Sequence, residues 1–198
     1  AIHLIDLTLI ELFSFGVMQT DPNFANYLYQ PDNQRIALLD FGATHKISPP
    51  LVQIYHQLML AGFSGDDVAL EETIEGIGFI DENTKDSQRK QIVHMVKLVF
   101  DTLQNNRYLD FADTKLATHL QDSAMALAKD GFLPPPLPID VLLLQRKFGG
   151  MFLLAAKLAA RVDVVSLLAD HLKGTALHNK TNRSCQTIEN PHRIAGTA

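Results

Sequence analysis

The chain has 198 residues, a formal charge of −5, 20% charged residues and a single cysteine. That length suffices for one domain with a sizeable core. The slightly acidic balance gives no support for nucleic-acid binding, which needs clustered Lys and Arg, and a lone thiol, Cys185, excludes an intramolecular disulfide framework and fits a reducing compartment.

Ile2, Ile5, Leu9, Leu12 and Phe13 recur at helical spacing, so residues 2–15 read as an amphipathic helix stopped at Gly16. The first residues carry Asp6 and Glu11 and no basic start, unlike a signal peptide. The chain opens on Ala1 rather than Met, and is expected to be a piece of something longer. Two short strand-like runs follow, 26–29 and 35–39, joined by Gln30-Pro31-Asp32-Asn33-Gln34, whose turn formers predict a β-hairpin.

After Gly42 the chain reads as helical. Ser48 and Pro49 suit the start of a helix running to about Ala61 and closed by Gly62. Residues 66–75 form a shorter one ended by Gly76, and 85–104 and 113–129 are two more, the second stopped at Gly131. Pro134, Pro135, Pro136 and Pro138 predict a stiff extended connector. A long apolar helix over 140–160 and a short one at 163–172 complete the pattern. Lys157 interrupts its most apolar stretch, so that helix is expected to be buried in protein rather than to cross a membrane. From Lys173 to Ala198 the apolar periodicity vanishes, and 173–198 is expected to be a polar, disordered tail.

The stretch Met18-Gln19-Thr20-Asp21-Pro22-Asn23-Phe24-Ala25-Asn26 and the later Asp40-Phe41-Gly42 carry the chemistry. Asp21 and Asn26 are five residues apart, a predicted hairpin follows, and an Asp-Phe-Gly ends its second strand. Kinase-like enzymes order a D-x-x-x-x-N loop, a hairpin and a D-F-G in this way. A triphosphate's metal ions need hard oxygen ligands, and an Asn carbonyl and an Asp carboxylate at the two ends of one hairpin can converge on one site. Gly42 allows a sharp bend after Asp40. Each fragment alone is more often a turn, a strand start or a helix cap, and only their order and spacing lift them above chance.

Together with "LPPP" (Leu133–Pro136) and "QRKFGGMFLLAAKL" (Gln145–Leu158), these motifs resemble the UbiB family of atypical kinase-like proteins, over roughly residues 2–172. The resemblance implies a mainly α fold: a protein-kinase-like C-lobe over 1–172, with a small β-hairpin carrying the metal-binding motifs. It implies Asp21 as the catalytic-loop Asp, Asn26 and Asp40 as Mg2+ ligands, and Asn26, Asp40, Phe41 and Gly42 as the ATP- and cofactor-binding set. It also implies ATP as a partner, a role in ubiquinone biosynthesis with a lipid or quinone precursor and other proteins of that synthesis, and peripheral membrane contact. The place would be cytoplasmic or at the inner membrane, mitochondrial in a eukaryote.

Only twenty residues precede Asp21, so the phosphate-covering loop and the nucleotide Lys of a kinase N-lobe are expected to be absent; Lys46 and Lys147 lie on the wrong side of the motifs. The residues 43–48 leave no room for a long activation segment, which favours a small acceptor or water over a peptide. Two alternatives stand beside this reading: a small-molecule phosphotransferase of the aminoglycoside or choline kinase type, and a non-catalytic scaffold without an N-lobe.

Among other features, Arg146 and Lys147 are expected at a solvated helix edge, with a phosphate or acidic lipid as the lesser reading. Gly149-Gly150 is expected to allow close packing against another helix. The eight histidines show no zinc-binding spacing, and His45 alone lies where it could approach a phosphate.

Overall fold

The computed structural model describes residues 1–172. The expected tail, 173–198, with Cys185, lies outside the described residues. Among the described residues the architecture is mainly helical with three two-stranded antiparallel sheets.

Helix α1 (Ile2–Ile10) does not continue regularly to residue 15. It widens into a π-helical turn over Glu11–Phe15, which Gly16 closes at φ +61. That wider turn, a form frequent at functional sites, accompanies a charged side chain buried on an apolar face: Glu11 is only 5% exposed. Strand β1 (Val17–Gln19) follows, then a 3-10 turn (Phe24–Asn26) and the hairpin of β2 (Tyr27–Gln30) and β3 (Arg35–Leu38). The hairpin register runs from Tyr27 opposite Leu38 to Gln30 opposite Arg35, close to the expected strands.

Strand β4 (Thr44–Lys46) returns to pair with β1, placing Met18 opposite His45 and Gln19 opposite Thr44. Neither strand is evident from periodicity, since three residues are too few to show alternation. Met18 and Ile47 are buried beside this ladder, fixing it to the core.

Helix α2 (Pro49–Ser64) begins with two prolines after Ser48, whose side chain makes no cap hydrogen bond. Gly62 lies inside this helix rather than ending it. A Cβ there would sit 2.3 Å from the Phe100 ring, so glycine serves the close approach of α2 to α4, and Gly65 at φ +71 ends the helix instead. Likewise α3 (Asp67–Ile77), capped by Asp66 accepting from the Ala69 N–H at 3.0 Å, passes through Gly76 and stops at Gly78, φ +98. Then come α4 (Asp86–Asn105), the two-residue β5 (Leu109–Asp110), α5 (Lys115–Lys129), α6 (Ile139–Lys157) and β6 (Arg161–Val162), which pairs with β5; residues 164–172 are again helical.

One apolar core joins α2, α3 and α6 to the π-turn and β1, through Leu12, Met18, Tyr55, Ile74 and Leu144. Each such fully buried side chain contributes roughly 1.5–3 kcal/mol. Gln145 donates to the Tyr55 hydroxyl at 2.9 Å, tying α6 to α2. Burial pushes that phenol up to about 12 despite the hydrogen bond from Gln145. The consequence for function is placement: α6 runs directly behind the Asp21 loop.

Candidate functional site

Asp21 and Asn26 are brought into direct contact. Asn26 is buried, and its Nδ2 donates to Asp21 Oδ2 at 3.0 Å and to the Asp21 backbone carbonyl at 3.2 Å. Asn23 caps the 3-10 turn by accepting from the Ala25 N–H at 3.0 Å, which explains how five residues fold back to close this contact. With its N–H donors engaged, Asn26 keeps Oδ1 as an acceptor for an electrophile.

Asp40 joins the loop through two bridges. The Leu39 N–H donates to the Asn26 carbonyl at 3.0 Å, and Gln19 Nε2 donates to the Asp40 carbonyl at 2.9 Å. Gln19 Oε1 in turn accepts the Asp21 backbone N–H at 2.5 Å. One buried amide side chain thus clamps both aspartate backbones. The Asp40 carboxylate is exposed and its Oδ1 accepts from the Gly42 N–H at 2.7 Å. A Cβ on Gly42 would crowd that same oxygen at 3.1 Å, so glycine keeps the turn tight. Phe41 is 61% exposed and makes no contribution to the core.

Beneath this loop lies a charge pair that composition and periodicity do not reveal. Lys147 is not at a solvated edge: it is fully buried on α6. Its Nζ lies 3.0 Å from Glu11 Oε2, donates to the Gln19 carbonyl at 2.8 Å and to the Tyr27 hydroxyl at 3.2 Å, and sits 5.7 Å from the Tyr27 ring centroid. Glu11 Oε1 accepts the Gln19 N–H at 3.3 Å. Glu11 Oε2 has the ammonium as its neighbour but makes no well-aligned hydrogen bond. Glu11, Gln19 and Lys147 were legible only as charged or amide residues inside apolar runs, which is the signal that could have singled them out. Arg146 does reach solvent, with its Nη2 3.2 Å from Asp21 Oδ1.

Gly150 packs not on another helix but on Pro22, whose Cγ would lie 2.0 Å from an added Cβ; Gly149 meets nothing within 4 Å. Asp21-Pro22 therefore rests on α6 along the turn that carries Arg146 and Lys147.

His45 pairs with Asp140, Nε2 to Oδ1 at 2.8 Å, while the Ser48 N–H donates to Asp140 Oδ2 at 3.4 Å. The hydrogen bond from His45 is the main cause that holds the Asp140 carboxyl below its ordinary 3.8, with Ser48 adding to it and desolvation opposing. A carboxyl depressed on folding adds stability above its unfolded pKa and loses it as pH falls through the folded value. The stability difference between the wild type and Asp140→Asn should therefore be full above about pH 4 and shrink steadily below it. Urea titrations between about pH 2 and pH 6 check this, and a difference independent of pH would refute it.

The donor set suits a hard cation: one amide oxygen and carboxylate oxygens, with no thiolate or imidazole among them. Among the described residues there is no cluster of three or more His, Cys, Asp or Glu arranged to hold a metal. The fit therefore depends on Asn26 acting beside Asp40, with oxygens left for a bound phosphate.

Residues 1–74 match the ABC1 atypical kinase-like domain. Most of the chain also aligns with named atypical kinases. It is 31% identical over 163 residues to the mitochondrial atypical kinase coq-8 of Caenorhabditis elegans, covering 80% of this chain and 21% of that protein. These likenesses make the chain similar to the UbiB family of atypical kinase-like proteins. Two further relatives are the mitochondrial atypical kinases COQ8B of Rattus norvegicus, 29% identical over 168 residues (85% of this chain, 31% of the relative), and COQ8 of Saccharomyces cerevisiae, 28% over 170 residues (85% and 34%). The chain thus spans about a fifth to a third of the length of these curated relatives. The family match over 1–74 takes in Asp21, Asn26, Asp40 and Gly42, whereas Arg146, Lys147 and Gly150 lie beyond it. No helix among the described residues is long and apolar enough to cross a membrane.

Proposed function

We propose that residues 1–172 act as the C-terminal lobe of a UbiB-type atypical kinase or ATPase that holds a magnesium nucleotide. The observation that carries this reading is the Asp21–Asn26 hydrogen bond, linked through Gln19 to Asp40. Asn26 and Asp40 would hold the metal, and Phe41 and Gly42 would shape the turn on the nucleotide side of the site. Bound Mg2+ would supply neutralisation of the phosphate charge. Asp21 orients the attacking hydroxyl or water and accepts its proton, while Asn26 fixes the carboxylate plane by donating to Oδ2.

The acceptor is small, or is water. Between Gly42 and Pro49 the chain forms only β4, paired along β1, and then enters α2, so no long segment is presented for a peptide. This also keeps the reading adjacent to small-molecule phosphotransferases. The relatives named as mitochondrial atypical kinases support a mitochondrial place in a eukaryote, and the role proposed there is in ubiquinone biosynthesis, peripheral at the inner membrane. A lipid or quinone precursor and other proteins of that synthesis are the proposed partners, with peripheral membrane contact.

The decisive experiment is Mg2+-dependent nucleotide binding by the natural polypeptide that carries these residues. Asp40→Asn should abolish it by removing the charged metal ligand. Unchanged affinity in that variant would sink the metal assignment.

A further inference from the structure

Arg146 is the cation that reaches the candidate site. Among the described residues, the ion pair made by Asp21 is with Arg146, and Asp40 makes none. The contact joins residues 125 positions apart, and it is built rather than incidental. Arg146 stands between two side chains that fix the helix turn: Gln145 on the Tyr55 hydroxyl, and the fully buried Lys147 on the Gln19 carbonyl. Behind that turn, Gly150 lets Pro22 press against α6. The guanidinium is therefore aimed at Asp21 by a rigid frame, yet its side chain remains 61% exposed.

As a stabilising contact, such an exposed pair is worth little. Its chemistry is more informative. Asp21 Oδ2 already has Asn26, and Oδ1 has one Arg146 nitrogen. A guanidinium carries five N–H donors in a planar fork, and a single one is engaged here. The remaining donors face solvent beside Asp21, where a transferring phosphoryl group would meet a carboxylate of like charge. An arginine in that position offsets the repulsion and can hold carboxylate and phosphate oxygens together.

Resting on the magnesium-nucleotide reading, we infer that Arg146 is the anion-binding residue of this site, contacting the terminal phosphoryl group of a bound nucleoside triphosphate. It supplies from α6 the positive charge that the Asp21–Asn26 loop does not carry, and it makes the site prefer a triphosphate over a diphosphate.

The test compares Mg2+ complexes of a non-hydrolysable ATP analogue and of ADP, by calorimetry, on the natural polypeptide that carries these residues. Arg146→Met should weaken the triphosphate analogue about tenfold and leave ADP within about twofold, the loss expected for a hydrogen bond between charged partners. Arg146→Lys should recover part of the difference, because it restores charge without the fork. Equal losses for both nucleotides would reduce Arg146 to a positioning residue for Asp21 and overturn the inference. An unchanged ratio in Arg146→Met would overturn it too, while leaving the magnesium-nucleotide reading intact. A wild-type protein that binds neither nucleotide would overturn both. The melting temperature of Arg146→Met should stay near that of the wild type, separating loss of contact from loss of fold.

Discussion

Lys147→Met should lower stability by about 3–5 kcal/mol, because it strands the Glu11 carboxylate in the interior. Lys147 is fully buried, and the Glu11 side chain is 7% exposed with the ammonium as the cation at its Oε2. The methionine fills the space but cannot compensate the charge, and the Gln19 carbonyl and Tyr27 hydroxyl lose a donor as well. For a chain of this size the loss corresponds to a fall in Tm of roughly 6–20 °C. The double variant Glu11→Gln with Lys147→Met removes both charges while leaving an acceptor for the Gln19 N–H. It should regain more than half of the lost stability, since neutral replacement of a buried pair is far better tolerated than halving it. Chemical denaturation of the three proteins measures this. A single variant within about 1 kcal/mol of the wild type would show that the pair is not desolvated as described.

The second large effect separates two adjacent glycines. Gly149→Ala should stabilise α6 by about 0.5–1 kcal/mol, the ordinary gain from removing a helical glycine, because nothing lies within 4 Å of its new methyl. Gly150→Ala gains the same propensity but drives a methyl to 2.0 Å from Pro22 Cγ and 2.4 Å from Pro22 Cβ. A proline ring cannot rotate away, so either α6 or the Asp21 loop must shift. The net loss should be about 1–3 kcal/mol, typical of overpacking. Because Pro22 directly follows Asp21, the variant should also disturb the Arg146–Asp21 contact. Opposite signs of the two melting shifts are the expected result. Two stabilised variants would mean that Pro22 yields freely.

Both effects depend on α6, and in neither was the partner legible in the sequence, although close packing at Gly149-Gly150 was expected. Charged residues near the start of an apolar helix suggest a wet edge, and Arg146 does remain exposed. The next residue turns inward, because helical geometry rotates successive side chains by about 100° and here points one of them at Glu11. The cause of its burial is a partner at position 11, in a segment whose widening into a π-turn has no pattern of its own. Glycines misled the reading in a related way. Gly62 and Gly76 were expected to end helices, but a tertiary approach explains the first: the Phe100 ring occupies the space of its missing side chain.

What could be read from residues alone was local. The order of Asp21, Asn26 and Asp40 around a hairpin, the turn formers between its strands and the main helices all follow from spacing and short-range chemistry. Each is set by neighbours within one turn or one hairpin, so sequence distance and spatial distance coincide. Tertiary structure decided the rest. It paired β1 with β4, made Gln19 the clamp between the two aspartates, and set Lys147, Arg146 and Gly150 behind the loop from more than a hundred residues away. Such contacts depend on which surfaces the packed helices bring together and on which charges they desolvate, and those are properties of the assembled core.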